Sequence, residues 1–375
     1  MTVRVGVNLL WLLPGAAAGA EAYAVRLLHA LGDHADDVEV VLLCNRRFPV
    51  AHPDLVGRFE TVVAPIDGGV RTIRIAAEST WLVGAARRAA LDLLHHLNDV
   101  VPWRRNRPSV LTIHDLRSIE RPETIGRWHG SYLRHRLPPS ARAAAAIATP
   151  SAFVRGTVIE HLGVPADRVR VVSAPVLPPP QAPNGHRPVG RPFFLYPAVT
   201  RPHKNHALLI DAFADVVASD PDVLLLLPGG PGPAEPAVRE LVARRGLEAN
   251  VRRLGRVPAP LLAALLGEAT ALTFPSTYEG FGLPIAEAMA TGCPVIASNV
   301  TAIPEVVGAA GILVDAGDRD AWSAAMVRVL VDEGERSRLA GLGRERARAM
   351  TPAVTARHQL EVYRSAVAAR PVRGR

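Results

Sequence analysis

Four groups of residues carry side chains and spacing suited to chemistry. In Phe274 to Ser298 (FPSTYEGFGLPIAEAMATGCPVIAS), Glu279 and Glu287 lie either side of Gly280, Phe281, Gly282 and Leu283. The two glycines bring backbone into the open and Pro284 suits a first helical position. Bare N–H groups at the positive end of a helix dipole therefore stand between two carboxylates. Such a helix tip holds phosphate, and a carboxylate accepts hydrogen bonds from two neighbouring sugar hydroxyls; a nucleotide sugar presents both groups. The second candidate is Lys204, the single lysine among 43 basic residues. At a helix start, its ammonium and the helix N-terminus could together hold a diphosphate. The third is His114-Asp115, directly after the apolar run Val110 to Ile113, where Asp115 could orient His114 or touch an acceptor. The fourth, Pro14 to Glu21 (PGAAAGAE), carries Gly15 and Gly19 but matches neither the dinucleotide fingerprint nor the ATPase P-loop, and by itself reads as a flexible turn. Alone, Glu279 would be a cap and Glu287 a solvated helix residue; together with both glycines and Pro284 they favour ligand binding.

These residues need elements to position them. Strand-like runs at Val3 to Leu10, Val38 to Cys44, Leu91 to Leu94, Val110 to Ile113 and Val169 to Val172 alternate with helical patterns. That alternation predicts a parallel sheet with helices on both faces, binding ligands beyond the carboxyl ends of its strands. Ala148 to Phe153 reads as a strand-to-helix switch capped by Ser151. Arg127, Arg134, Arg136 and Arg142 flank Trp128 and Tyr132 and read as a solvated helix face, with Pro138-Pro139 breaking the helix. Leu177 to Pro192 is dense in Pro and Gly and lacks periodicity, which marks a boundary. The expected division is a domain at 1–177, a linker at 178–192, a domain at 193–350 and a terminal segment at 351–375. In the second half, Phe193 to Tyr196 and Leu224 to Leu227 read as buried strands, with Lys204 opening a helix over Asn205 to Val217. Beyond Asp318 the pattern is helical.

Composition narrows the class. With 375 residues, 49% hydrophobic and 21% charged, the chain is an ordinary globular one of two domains. Cys44 and Cys293 lie far apart beside apolar runs, as reduced thiols of a cytoplasmic protein do. The net charge of +8 comes with 5% aromatic residues and no aromatic-interleaved basic block, which argues against nucleic acid and leaves open peripheral contact with anionic lipid at the inner face of a membrane. The first twenty residues could pass for a signal peptide, but one Arg, an interrupting Asn8 and a helical pattern from Glu21 favour a first strand.

The Phe274 to Ser298 stretch, flanked by LGRVP at Leu254 to Pro258 and IPEVVG at Ile303 to Gly308, resembles the signature of glycosyltransferase family 4, in which two glutamates are separated by seven residues. The resemblance implies a retaining, metal-independent hexosyltransferase of GT-B fold: two Rossmann-like α/β domains facing across a cleft, with a C-terminal helix crossing back to the first. It implies a nucleoside diphosphate sugar as donor and a saccharide or lipid-linked acceptor. Carried over residue by residue, Lys204 and Arg201 meet the leaving diphosphate, Gly19 approaches it, and His114 faces the transferred sugar. Glu279 holds the sugar and Glu287 the ribose, while Arg256 and Val257 meet the base. PHKNH-type segments point toward mannosyl transfer from a GDP sugar. The chain departs from the family where Ala20 replaces a second glycine and where Ala174-Pro175-Val176 stands for Asn-Gly-Val.

Asp220-Pro-Asp222 and Asp318-Arg-Asp320 have the spacing of a metal-binding pair, but they fall at a turn and a helix start, where Asp serves as punctuation. No catalytic metal is expected. The alternatives are an epimerase or phosphorylase on the same plan, or a sugar-nucleotide-binding protein without activity.

Overall fold

Apolar runs bounded by Gly, Pro and Asp become strands when both of their faces can be buried, and here two sets of such runs form two sheets. The computed structural model describes residues 2–15, 18–35, 37–177 and 189–368; of the expected linker, residues 178–188 lie outside these. The chain divides into one unit of Met1–Pro175 with Thr351–Arg375 and another of Val176–Met350.

The first unit is built on seven parallel strands, β1 (Val3–Leu9), β2 (Val38–Cys44), β3 (Glu60–Val63), β4 (Leu93–His96), β5 (Ser109–Thr112), β6 (Ala146–Thr149) and β7 (Val169–Val171). Their order is β3-β2-β1-β4-β5-β6-β7. Strand β1 pairs on one side with β2 and on the other with β4, where Asn8 lies opposite His96. One face packs Leu111, Ile113 and Ile147 against Leu137, Val154 and Val158. The other packs Val41, Leu43 and Leu94 against Leu82 and Ala85. At about 1.5–3 kcal/mol per fully buried aliphatic side chain, these layers outweigh any local propensity.

That excess explains three departures from the sequence reading. Pro138 and Pro139 lie inside the helix Arg127–Ala143 and do not break it; the buried Leu137 and Ala141 hold the turn despite the lost backbone bonds. The helix expected from Ala22 begins at Ala18, so Gly19 is in its first turn and not in a loop. The strand expected at Leu91 to Leu94 runs from Leu93 to His96. Ser151 caps the helix Ala152–Leu162 as expected, accepting from the Val154 N–H at 3.1 Å.

The terminal helix Pro352–Ala368 belongs to the first unit. Thr355 Oγ1 donates to the Ser173 carbonyl at 3.1 Å, and Arg364 pairs with Asp37 at 2.7 Å. Tyr363 Oη lies 2.8 Å from His95 Nδ1.

The second unit has six parallel strands, β8 (Phe193–Leu195), β9 (Leu224–Pro228), β10 (Val251–Gly255), β11 (Ala271–Phe274), β12 (Val295–Ser298) and β13 (Ile312–Val314), in the order β10-β9-β8-β11-β12-β13. One continuous core unites Phe194, Phe213, Leu226, Leu272, Ile296 and Trp322. No helix among the described residues is long and apolar enough to cross a membrane.

His95 is buried, with its other nitrogen, Nε2, 2.8 Å from Thr112 Oγ1. Burial, with smaller contributions from His96 and His114, lowers its pKa from 6.5 to about 3. The folded ring stays neutral while the unfolded one takes up a proton, so its stabilising contribution is complete above pH 6.5 and is lost as pH falls from there toward 3. Asp99, raised to about 6 by burial, titrates with the opposite sign, so the check is a difference. Urea unfolding from pH 6.5 to 4 should show wild type losing stability relative to H95Q, and parallel slopes would contradict a buried neutral His95.

Candidate active site

In a parallel sheet, ligands gather where neighbouring strands send their following loops to opposite faces. In the second unit that point lies between β8 and β11, and Lys204 and Glu279 stand on the two loops that leave them. A 3-10 turn, Pro202–Lys204, follows β8. Asn205 then adopts a left-handed conformation (φ 54°) before the helix His206–Ser219, so Lys204 precedes the helix by two residues and does not open it.

The two loops are laced together. Tyr196 Oη donates to the Lys204 carbonyl at 2.8 Å and lies 3.0 Å from Ser276 Oγ. With its proton committed to the carbonyl, the phenol accepts from Ser276. Thr277 donates both its N–H and its hydroxyl to the His203 carbonyl, at 2.8 and 3.2 Å. Lys204 Nζ and Glu279 Oε1 form an ion pair, with side chains 19% and 15% exposed, and Nζ stands 5.4 Å from the Phe274 ring centroid. The Glu279 N–H donates to Thr301 Oγ1 at 3.1 Å.

Past Glu279 the chain turns at Gly282 (φ 96°, ψ 52°) into the helix Leu283–Thr291, whose N-terminus carries no side-chain cap. In its first turn Pro284 has no N–H and the Ile285 N–H donates to the Gly282 carbonyl at 2.9 Å, so the N–H of Leu283 is the one this turn offers to a ligand. Phe281 packs on the core edge, Gly280 and Leu283 are half-buried, and Glu287 is half-buried one turn inside the helix. Arg201, exposed, caps the 3-10 turn. Arg256 and Val257 follow β10, at the sheet edge two strands from β8. Asp318 Oδ1 accepts from the Ala321 N–H at 3.0 Å, and Asp220 Oδ1 from the Asp222 N–H at 3.0 Å, so both pairs of aspartates make local caps and turns.

Sequence reasoning missed the support beneath Lys204. Thr200 Oγ1 donates to Glu235 Oε2 at 2.7 Å and accepts from the Gly232 N–H at 2.9 Å, while Arg253 Nη2 pairs with Glu235 at 2.7 Å. Burial works against the Glu235 carboxylate, yet the bonds from Thr200 and Arg253 hold its pKa below the usual range. His206 is buried against Tyr196, its ring nitrogens without partner among the described residues. Burial, aided by Arg253 and Lys204, lowers its pKa to about 4. The only sequence signal for this network was the glycine-rich turn after β9.

In the first unit, His114 and Asp115 follow β5. His114 Nε2 donates to the Leu97 carbonyl at 2.9 Å. Its backbone N–H donates to Asp99 Oδ1 at 2.9 Å, and Tyr23 meets the ring edge-on at 4.9 Å between centroids. Asp115 Oδ1 accepts from the Arg117 N–H at 2.9 Å, so the structure pairs Asp115 with the following turn. Gly19 is exposed, and a Cβ there would meet nothing within 4 Å.

A two-domain sugar-transferase architecture is what these sheets define. Residues 181–346 match the model of glycosyl transferases group 1, and residues 17–178 that of glycosyltransferase family 4. The chain is 35% identical over 262 residues to O-antigen chain mannosyltransferase B of Escherichia coli, a match spanning 67% of this chain and 68% of that protein. It is 34% identical over 181 residues to D-inositol 3-phosphate glycosyltransferase of Corynebacterium glutamicum (strain R), spanning 46% of this chain and 43% of that one. A crystal structure of Anabaena HepE in complex with UDP and glucose superimposes with a TM-score of 0.75 at 20% identity, covering 97% of this chain and all of that one, which establishes the GT-B fold. The chain belongs to the group 1 glycosyltransferases of family 4.

Gly229 tests the support beneath Lys204. Its φ is +139°, and a Cβ would stand 2.1 Å from the Ala198 carbonyl oxygen, whereas at Gly230 nothing lies within 4 Å. G229A should therefore cost more than about 1 kcal/mol in chemical unfolding, and G230A far less. Equal losses would contradict the close approach of the two loops.

Proposed function

We propose that the chain transfers a hexose, mannose in the first instance, with retention from a nucleoside diphosphate sugar to a hydroxyl of a saccharide or lipid-linked acceptor in glycan synthesis, without a metal. The observation that carries this is the Lys204–Glu279 pair beside an uncapped helix tip at the sheet's switch point. Names of related proteins support the sugar and the glycan: the Escherichia coli relative is a mannosyltransferase of the O-antigen chain.

As the glycosidic bond breaks, negative charge grows on the departing diphosphate. Lys204, Arg201 and the N–H groups at Gly282 and Leu283 stabilise it, with Gly19 giving room to the phosphates. A diphosphate that takes the charge of Lys204 releases the carboxylate of Glu279 for sugar hydroxyls. Glu287 holds the ribose diol, and Arg256 and Val257 flank the base. His114 is assigned to the sugar and Asp115 to the acceptor. No carboxylate is assigned as a covalent nucleophile; the diphosphate itself takes the acceptor proton.

K204A should lower kcat by on the order of 10²-fold or more, far more than it lowers stability when assayed at a temperature where the variant, with Glu279 left unpaired, is still folded; unchanged turnover would remove the phosphate assignment. Activity should persist in excess EDTA, and a loss restored by magnesium would replace the metal-free mechanism. In a thermal-shift panel of nucleotide sugars, GDP-mannose should raise Tm most, and a larger shift with a UDP sugar would reassign the donor.

A further inference from the structure

The switch point of the first sheet, between β1 and β4, opens on a polar cavity of about 50 Å³, room for roughly three or four water-sized groups or one tetrahedral anion. Asn8 and His96 form its floor from paired positions on the two strands. One wall is the stripe Arg71, Arg74 and Glu78 of the helix Arg71–Ser79, spaced i, i+3 and i+7. The other is His129 and Tyr132 of the helix Arg127–Ala143.

The hydrogen bonds on the floor leave a donor over. The Leu10 N–H donates to Asn8 Oδ1 at 3.2 Å, which fixes the amide so that Nδ2 faces His96 Nδ1 at 3.3 Å. His96 Nδ1 is then the acceptor and the ring proton lies on Nε2. His96 is 1% exposed, and this Nε2–H has no partner among the described residues. Arg74 Nε is likewise buried without a partner. Arg71 spends its guanidinium on the Tyr132 ring, 4.0 Å from the centroid, and neither arginine makes an ion pair among the described residues. Unsatisfied buried donors are costly, so a pocket that collects them is shaped for an acceptor. Burial first, and then the charges of Arg71, Arg74 and Arg117, hold the His129 pKa below its usual value. Of the two acids present, Asp99 already accepts from the His114 N–H, and Glu78 Oε1 accepts from Asn8 Nδ2 at 3.4 Å; burial raises the Glu78 pKa, opposed by the charge of Arg74 and the Asn8 bond. Two guanidinium groups and an imidazole N–H suit the charge and three oxygens of a phosphate ester better than a carboxylate.

We propose that this pocket seats a phosphate ester carried by the acceptor, with Arg71, Arg74 and the Nε2–H of His96 as its ligands. The proposal rests on the transferase reading and names the chemical class of its acceptor.

The test uses the whole chain. Calorimetric titration with glycerol 3-phosphate is compared with sedimentation on vesicles containing phosphatidic acid, for wild type, R71Q/R74Q, H96N and K204A. H96N keeps an acceptor toward Asn8 while removing the Nε2–H, and so reports even if the double variant folds poorly. Glycerol 3-phosphate or vesicle binding should weaken about tenfold or more in R71Q/R74Q, several-fold in H96N, and remain in K204A. Loss in the soluble arm assigns the group to a free phosphate ester, and loss confined to vesicles assigns it to a lipid headgroup. Binding unaltered by R71Q/R74Q and H96N, binding abolished by K204A, or no binding by wild type in either arm overturns the proposal. Nucleoside diphosphate binding is read in parallel. Its persistence in R71Q/R74Q and loss in K204A keeps the donor reading intact whatever the pocket does, and its persistence in K204A fails the donor reading alone.

Discussion

Everything chemical in this chain depends on one constraint of parallel sheets. A strand whose two neighbours connect in opposite directions must let its following loop part from that of the strand beside it, and a crevice opens where they separate. The order β10-β9-β8-β11-β12-β13 puts that parting between β8 and β11, and β3-β2-β1-β4-β5-β6-β7 puts it between β1 and β4. A crevice of exposed backbone would be a weak point, so the loops that bound it are tied by polar side chains. Tyr196, Ser276 and Thr277 do this in the second unit. Asn8 and His96 do it in the first.

The tie between Lys204 and Glu279 differs in kind from the hydrogen bonds around it. Partly buried ions gain from each other, but they lose hydration, and the two terms are of similar size. Such a pair adds little to stability on balance, while breaking it without replacement is costly. In the proposed reaction the donor diphosphate would supply the replacement, exchanging one anionic partner of Lys204 for another. The neighbouring helix tip supplies N–H donors that no side chain has claimed. The neutral bonds of Tyr196 and Thr277 to main-chain carbonyls need not change, so the loops can keep their shape while the charges change partners.

How much of this could be read beforehand follows from range and contrast. Leu224 to Leu227 is an uninterrupted apolar run and is a buried strand. Gly280, Gly282 and Pro284 are local signals, and they form the helix entry they suggest. Lys204 stands out because it is the only lysine. Strand β3 escaped because an edge strand of Glu, Thr and two valines, with no residue fully buried, has no apolar contrast. Arg71 and Arg74 escaped for the opposite reason, since a chain that writes nearly all its cations as arginine gives none of them contrast. The pairing of residues 204 and 279, like that of Thr200 with Glu235, depends on strand order, which no local pattern encodes. Asn8 was visible only as a blemish in an apolar strand; its use as the amide that orients His96 needs β4 beside it.

The terminal helix bears on that same point. Successive strand residues face opposite sides of a sheet, so the neighbours His95 and His96 of β4 cannot serve one layer. His95 turns to Tyr363 of the helix Pro352–Ala368 and to Thr112 of β5, with both nitrogens engaged. His96 turns to Asn8 and the cavity with one nitrogen left over. Two buried histidines side by side, each held neutral with a pKa of about 3, are an expensive way to fill a strand that aliphatic residues would fill better. The expense at His95 is offset by its two bonds, which lock the strand to the helix behind it and so fix the height at which the next residue presents its ring. At His96 nothing within the described chain makes up the whole difference. A buried histidine standing there against the interest of the core is explained by what it can donate to from the floor of the crevice.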